Sequence, residues 1–140
     1  MKKGFSLLET LVTLSAAAIL LYLGSNAFLN QTPKYRLRRA TWEIQTRLNY
    51  ARYKAIFEGR PVRVSFKPAG YTVEKYDEVL KGWKPDISGL IEGVKIEANN
   101  SPTFHPVGTV SNLATITISN SWGKCQITLA ISGRIRVAMI

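Results

Sequence analysis

Met1–Leu29 reads MKKGFSLLETLVTLSAAAILLYLGSNAFL, and the organisation of the whole chain turns on it. From Phe5 to Leu29 the run carries one charge, Glu9, and reaches the roughly 20 apolar residues that cross a bilayer core as a helix. Lys2 and Lys3 precede it, which by the positive-inside rule keeps the N-terminus cytoplasmic and sends the rest of the chain across. A secretory signal peptide shares the basic start, but its apolar core is only about 7–15 residues and ends in a small-x-small site. Here the run is longer, and Ser25, Asn26 and Ala27 lead into Phe28 and Leu29, so the reading is a retained spanning helix. Glu9 stands out within it. An ionised carboxylate at that depth costs about 2.5–3.5 kcal/mol on insertion scales, and no basic residue follows within two turns. Its partner is expected outside its own helix, unless the side chain stays wet near the interface.

A short basic leader ending in Gly4, the aromatic Phe5, then Ser6, Leu7, Leu8, Glu9, Thr10 and an apolar tract together resemble the leader and mature start of a type IV prepilin or type II secretion pseudopilin. The resemblance implies a leader at 1–4 that a prepilin peptidase removes between Gly4 and Phe5, with methylation of the new Phe5 amine. It also supplies a partner for Glu9, the N-terminal amine of a neighbouring subunit in a filament whose core is the helix at 5–29. Loss of the leader would lower the formal charge from +10 to +8. The implied location is the bacterial inner membrane, single-pass with a periplasmic head, and then a pilus or pseudopilus. The implied partners are the peptidase, other pilin or pseudopilin subunits and an inner-membrane assembly platform.

The remainder, 30–140, is long enough for one modest domain. Pro33 predicts a kink or a restart of the helix at Thr32–Lys34. From Lys34 to about Phe57, Leu37, Thr41, Ile44, Leu48, Ala51 and Ala55 recur at three- and four-residue spacings, an apolar stripe for a sheet to cover. Arg36, Arg47 and Lys54 fall on one flank of it, Lys34, Arg38 and Arg52 on the other, and Glu43 is placed to pair with Arg47. Trp42, Tyr50 and Tyr53 gather opposite the stripe. Gly59 and Pro61 end the helix. Beyond Arg60 the period drops to 2: Val62, Val64 and Phe66 turn through Pro68–Gly70 into Tyr71, Val73 and Lys75. Asp77–Gly93, with Gly82, Pro85, Gly89 and Gly93, reads as mostly loop. Further strands are expected at Val94–Ala98, from Thr109 or Ala114 to Ser119, at Lys124–Ile131 and at Arg134–Ala138. The prediction is an α+β, pilin-like fold: a long N-terminal helix, its first half transmembrane, packed against a small antiparallel sheet of five to seven strands.

Phe104, Pro106 and Gly108 ahead of an alternating strand through Ile116 and Ile118, and the closing pattern Cys125, Ile127, Leu129, Gly133, Arg134, Ile135, Arg136, resemble the head of GspH-like, FimT-like or FimU-like minor pilins. The family's usual cysteine pair is missing. Cys125 is the single cysteine and His105 the single histidine, so neither an intrachain disulfide nor a metal cluster is expected, and no cofactor is implied. No nucleophile, base and orienter assemble by motif, and no phosphate-cradling glycine pattern is present, which excludes the common enzyme signatures.

Charge leaves one binding question. Of 19 Lys and Arg, ten lie between Lys34 and Lys67, opposed there only by Glu43 and Glu58. A belt just past an apolar span suits anionic lipid headgroups as well as nucleic acid or an acidic partner surface. Arg134 and Arg136 would share one strand face, and Gly133 would give the turn that presents them to adjacent phosphates of double-stranded DNA, with Lys124 nearby. FimT-like minor pilins linked to natural transformation carry a similar Gly-Arg-x-Arg pattern; the same four residues also serve simply to close a hairpin. Three functions remain open at this stage: a pilus subunit with or without DNA contact, a type II secretion pseudopilin that binds no nucleic acid, and an unrelated single-span membrane protein.

Overall fold

The computed structural model describes residues 6–140, apart from the side chains of residues 24–31. It divides into two compact units between Thr32 and Pro33. One helix, α1, runs Leu7–Glu58. Of the kink or restart expected at Thr32–Lys34, the restart is not found: the backbone stays helical with Pro33 inside. Proline removes one amide donor, and the turns that follow are held by tertiary packing, where most helix stability in proteins arises. The Asn120 Nδ2 donates to the Pro33 carbonyl at 2.6 Å, so a distant loop also fixes the turn that the proline occupies. Gly59, with φ +65°, terminates the helix in the left-handed conformation that glycine adopts without steric cost.

In the second unit the described residues form nine strands in two antiparallel sheets, where five to seven in one sheet were expected. The first holds β1 (Val62–Lys67), β2 (Gly70–Asp77), β3 (Gly82–Leu90), β5 (Thr103–Phe104) and β6 (Val110–Ser111), in the order β3-β2-β1-β5-β6. The second holds β4 (Lys95–Ala98), β7 (Thr115–Ser119), β8 (Lys124–Leu129) and β9 (Ile135–Met139), in the order β4-β7-β8-β9. The expected stripe is the helix's contribution to the core. Leu37, Ile44, Leu48, Ala51 and Ala55 are buried beside Ala40 and Thr41, and they form one cluster with Val62, Val64, Val73, Phe104, Ile116, Ile118, Ile127 and Leu129 from the sheets. The Thr41 hydroxyl bonds the Leu37 carbonyl at 2.8 Å, so its burial leaves no polar atom stranded.

The expectation of loop over Asp77–Gly93 is corrected by β3, which pairs with β2 along its length. Pro85 and Gly89 are accommodated by their place in the sheet. Pro85 lies on an edge strand, where a missing N–H is tolerated. The register shifts at Val73/Glu74, which pair with Ile87 and Pro85 and leave Asp86 as the extra residue of a bulge. Gly89 sits directly across from Tyr71, whose ring covers it so closely that a Cβ there would lie 2.5 Å from the ring. The tight connection into β3 is held by Asp77, whose Oδ1 accepts from the Val79 and Leu80 amides at 2.9 and 3.2 Å.

Candidate functional site

The sequence points to two sites, the N-terminal helix and the Gly133–Arg136 turn. Gly4 and Phe5, the expected processing pair, lie outside the described residues. Ser6 stands immediately before α1, and its Oγ accepts from the Leu8 amide at 3.3 Å. Glu9 is therefore the third helical residue of a Ser-x-x-Glu capping pattern, in the first turn, where the helix dipole favours a carboxylate. This intrahelical support for Glu9 was written in Ser6–Glu9 and adds to the expectation of an outside partner.

The polar side chains of this segment turn inward on its own backbone. Thr10 Oγ1 donates to the Leu7 carbonyl at 2.9 Å, Thr13 Oγ1 to the Glu9 and Thr10 carbonyls at 3.0 and 2.9 Å, and Ser15 to the Leu11 carbonyl. With those hydroxyls satisfied, the surface is essentially hydrocarbon. Leu7, Leu8, Leu14, Leu20 and Leu21 are each at least 70% exposed. An apolar surface of this extent marks contact with lipid or with other proteins. Among the described residues no helix is long and apolar enough to cross a membrane; residues 7–23 rise about 25 Å against the ~30 Å of a hydrocarbon core. The spanning expectation drew also on Phe5 and residues 24–29.

The basic belt divides as its flanks predict. On one flank, Arg47 Nε donates to the Tyr71 hydroxyl at 2.8 Å, and that hydroxyl donates to Glu43 at 3.0 Å, so Glu43 and Arg47 meet through Tyr71. Lys54 pairs with Asp86 on β3 and is 3.2 Å from the Tyr50 hydroxyl. Burial disfavours the Lys54 ammonium, but the hydrogen bonds that it donates to Asp86 and Tyr50 outweigh this and hold its pKa above the ordinary value. The Lys54 hydrogen bond holds Asp86 below the usual carboxylate range. Tyr50 therefore packs against the core margin, while Trp42 and Tyr53 remain exposed. On the other flank, Arg52 donates to the Gly133 and Ser132 carbonyls at 3.3 and 3.2 Å, and Lys34 lies over the Trp122 ring.

Arg52 thus clamps the turn that precedes Arg134, a role that sequence reasoning missed because the partners are about 80 residues away. Arg134 and Arg136 line one concavity of about 230 Å³ with Thr128, Leu129 and Ala130, on the outer face of the second sheet. Arg136 stands across from Thr128. Lys124 lies at the other end of β8, four residues or about 13 Å along the strand, so the structure brings the two arginines together and leaves the lysine apart. Cys125 is buried in β8 with its thiol on the Ala138 carbonyl, consistent with strand packing.

An apolar helical segment continued into a helix that lines an antiparallel β head defines the pilin class of fold. Residues 40–138 match the family model of Type II transport protein GspH, and the chain belongs to that family. The solved structure of the minor pseudopilin EpsH from the type 2 secretion system of Vibrio cholerae superposes with a TM-score of 0.64 at 16% identity, covering 74% of this chain and 97% of that one. The type IV minor pilin FimU of Pseudomonas aeruginosa gives 0.62 at 18% identity, covering 75% and 90%. No curated protein matches the sequence. Proteins of this family are filament subunits, not enzymes, and the chain is a minor pilin or pseudopilin of the type IV pilus or type II secretion kind.

Proposed function

We propose that this chain enters and primes a type IV pilus-like filament through its N-terminal helix, after cleavage between Gly4 and Phe5 and methylation of Phe5. Glu9 pairs with the Phe5 amine of a neighbouring subunit, and the helix anchors the chain in the inner membrane until the assembly platform extracts it. The observation that carries this is the exposed hydrocarbon surface of residues 7–23 with one carboxylate in its first turn, ahead of a GspH-family head. The test is intact-mass analysis of membrane-extracted protein from cells with and without the prepilin peptidase, beside Glu9→Ala in the sheared filament fraction. The expected result is loss of Met1–Gly4 with gain of one methyl group, and depletion of Glu9→Ala from filaments. An uncut chain would instead favour a plain single-span membrane protein.

A second reading, duplex DNA contact, is favoured by the shared concavity of Arg134 and Arg136, neither of which joins an ion pair among the described residues. Two phosphate contacts give a salt slope of only about −1.8 in log–log terms, so useful affinity would come from several subunits along one duplex. Fluorescence anisotropy of labelled duplex with the full chain in mild detergent, at two salt concentrations, tests it beside the Arg134→Ala, Arg136→Ala double variant. Salt-sensitive binding lost in the double variant supports an uptake pilin; no binding, or binding that the variant retains, returns the arginines to hairpin closure and favours a secretion pseudopilin.

A further inference from the structure

Each sheet has two edges, and three of the four are guarded in recognisable ways. Strand β3 carries Lys84, Pro85 and Asp86 with a bulge. Strand β6 is two residues long. Strand β4 carries the paired charges Lys95 and Glu97, and its Ile96 amide donates to the Pro68 carbonyl at 2.9 Å. Strand β9, Ile135–Met139, is the exception: five residues, no proline and no bulge, with Arg136 its single charge.

Its free hydrogen-bonding groups follow from register. The Arg134 carbonyl accepts from the Ala130 amide, and the Ile140 amide donates to the Lys124 carbonyl, both at 3.0 Å. In an antiparallel pair residues alternate between bonding the neighbour and facing away. The even-numbered residues therefore spend their backbone on β8, and the N–H and C=O groups of Ile135, Val137 and Met139 point out from the sheet edge. The side chains of Val137 and Met139 line, with Leu37, Trp42, Cys125 and the charged Arg38 among others, a groove of about 370 Å³ between β9 and α1. Trp42 is 68% exposed and Met139 56%. On the opposite face stands Arg136, with Arg134 just ahead of the strand.

We propose that β9 is a docking edge for an extended segment of a partner subunit, which adds to the second sheet as a fifth strand. Its side chains alternate, apolar where they enter the groove over Trp42 and acidic where they lie beside Arg134 and Arg136. Charge selects the occupant: two copies of a chain with a formal charge of +10 repel one another, whereas an acidic strand complements the outer face. The inference rests on the filament reading for the presence of partner subunits and names a surface on which the head receives one.

The test uses the full chain in mild detergent and a labelled eight-residue peptide alternating valine with glutamate, read by fluorescence anisotropy. Two further peptides carry lysine in place of glutamate, or N-methyl groups on the residues whose amides face β9. Two protein variants, Val137→Pro and Trp42→Ala, are checked by circular dichroism. The glutamate peptide is expected to bind, and N-methylation, Val137→Pro or the lysine exchange each to weaken it about tenfold or more, as loss of one or two hydrogen bonds or a reversed charge implies. Should Val137→Pro fail to fold, the N-methylated peptide decides on the unaltered protein. Absence of binding, or binding indifferent to N-methylation, overturns strand addition; equal binding of the lysine peptide overturns the acidic partner. Concentration-dependent dimerisation abolished by Val137→Pro would make a second copy the occupant and overturn the assignment. Since the filament tests act on Gly4, Phe5 and Glu9, either reading can fail while the other stands.

Discussion

Gly133→Ala is expected to be a costly glycine-to-alanine change in the head, and the structure separates the reasons. Gly133 has φ +78°, where an L side chain pays about 1–2 kcal/mol. A Cβ there would also lie 2.8 Å from Arg52 Nε, 2.9 Å from Arg52 Cζ and 2.9 Å from the Gly108 carbonyl oxygen. The guanidinium is itself held by the Ser132 and Gly133 carbonyls, and the third neighbour is backbone, so none of the three yields easily. Overpacking of that kind adds about 1–3 kcal/mol, and the gain from a less flexible unfolded chain returns about 0.4–1 kcal/mol. The net is about 2–4 kcal/mol. Gly59 isolates the first contribution, since it has φ +65° and nothing within 4 Å; Gly59→Ala should cost about 1 kcal/mol. Gly123 has neither a positive φ nor a close neighbour, so Gly123→Ala should be neutral or slightly stabilising. Urea unfolding of the full chain in detergent, followed by tryptophan fluorescence, compares the three, because Trp42, Trp83 and Trp122 all belong to the second unit. If Gly133→Ala and Gly59→Ala agree within about 0.5 kcal/mol, the crowding by Arg52 and Gly108 carries no energy and the argument for a clamped turn fails.

Three further outcomes follow from the ties between α1 and the sheets. The Asp86 pKa is depressed, so its stabilisation is present above the ordinary carboxylate pKa of about 3.9 and is lost as pH falls through the lower folded value. The Lys54 pKa is raised, so that partner's stabilisation is complete below about 10.4 and is lost only as pH rises beyond it. Asp86→Asn should therefore cost about 1–2 kcal/mol at pH 7 and remove most of the difference between pH 7 and pH 3 in this contact, read by urea midpoints at both. Tyr71→Phe keeps the ring over Gly89 but deletes the hydroxyl that joins Arg47 to Glu43; a loss of about 1–2 kcal/mol is expected, and an unchanged midpoint would mean that the two charges re-pair directly. Asn120→Ala removes the bond to the Pro33 carbonyl and the two that Oδ1 accepts from the Trp122 and Gly123 amides, for about 2 kcal/mol, with faster amide exchange expected in the 120–123 turn.

How much of this was legible in the sequence depends on whether the cause was local. The stripe from Leu37 to Ala55 was readable because helical periodicity and burial are one statement made twice. The first hairpin was readable because Pro68–Gly70 separates two alternating runs. Strand β3 was not, since Gly82, Pro85 and Gly89 each argue for loop when taken alone. Only the edge position, the bulge at Asp86 and the Tyr71 ring across Gly89 make those residues suitable for a strand, and all three are relations to another strand. Pro33 does not restart the helix for a similar reason: its local effect is real, but the packing that keeps the helix going begins four residues later at Leu37. At the candidate sites, Ser6 as a helix cap was readable in the same four residues that hold Glu9. Arg52 and Arg47 could not be assigned, because a guanidinium does not announce whether it will meet solvent, a carbonyl or a tyrosine.

That last ambiguity governs how the charge should be read. A formal +10 invites a nucleic-acid partner, yet several of the basic residues are engaged inside the head: Arg47 on Tyr71, Arg52 on the 132–133 carbonyls, Lys54 on Asp86, and Arg63 on Glu74 at 2.7 Å with its guanidinium 4.4 Å from the Trp83 ring centroid. Arg47, Arg52 and Lys54 tie α1 to the strands and the 132–133 turn, Arg63 ties β1 to β2, and Lys54 and Arg63 are offset by carboxylates. The exposed basic residues include Arg36, Arg38 and Arg39, just after Pro33, and Arg134 and Arg136, on the outer face of the second sheet, besides Arg60, Lys67, Lys81, Lys84 and Lys124 elsewhere on the head. The first group stands at the start of the head, and on the proposed anchoring it would meet anionic headgroups or a neighbouring subunit. The second group shares one concavity, which is what singles it out for duplex DNA or an acidic partner strand. An experiment that neutralises the belt wholesale would therefore confound folding, anchoring and recognition, whereas changes confined to Arg134 and Arg136 address recognition with α1 and its contacts left intact.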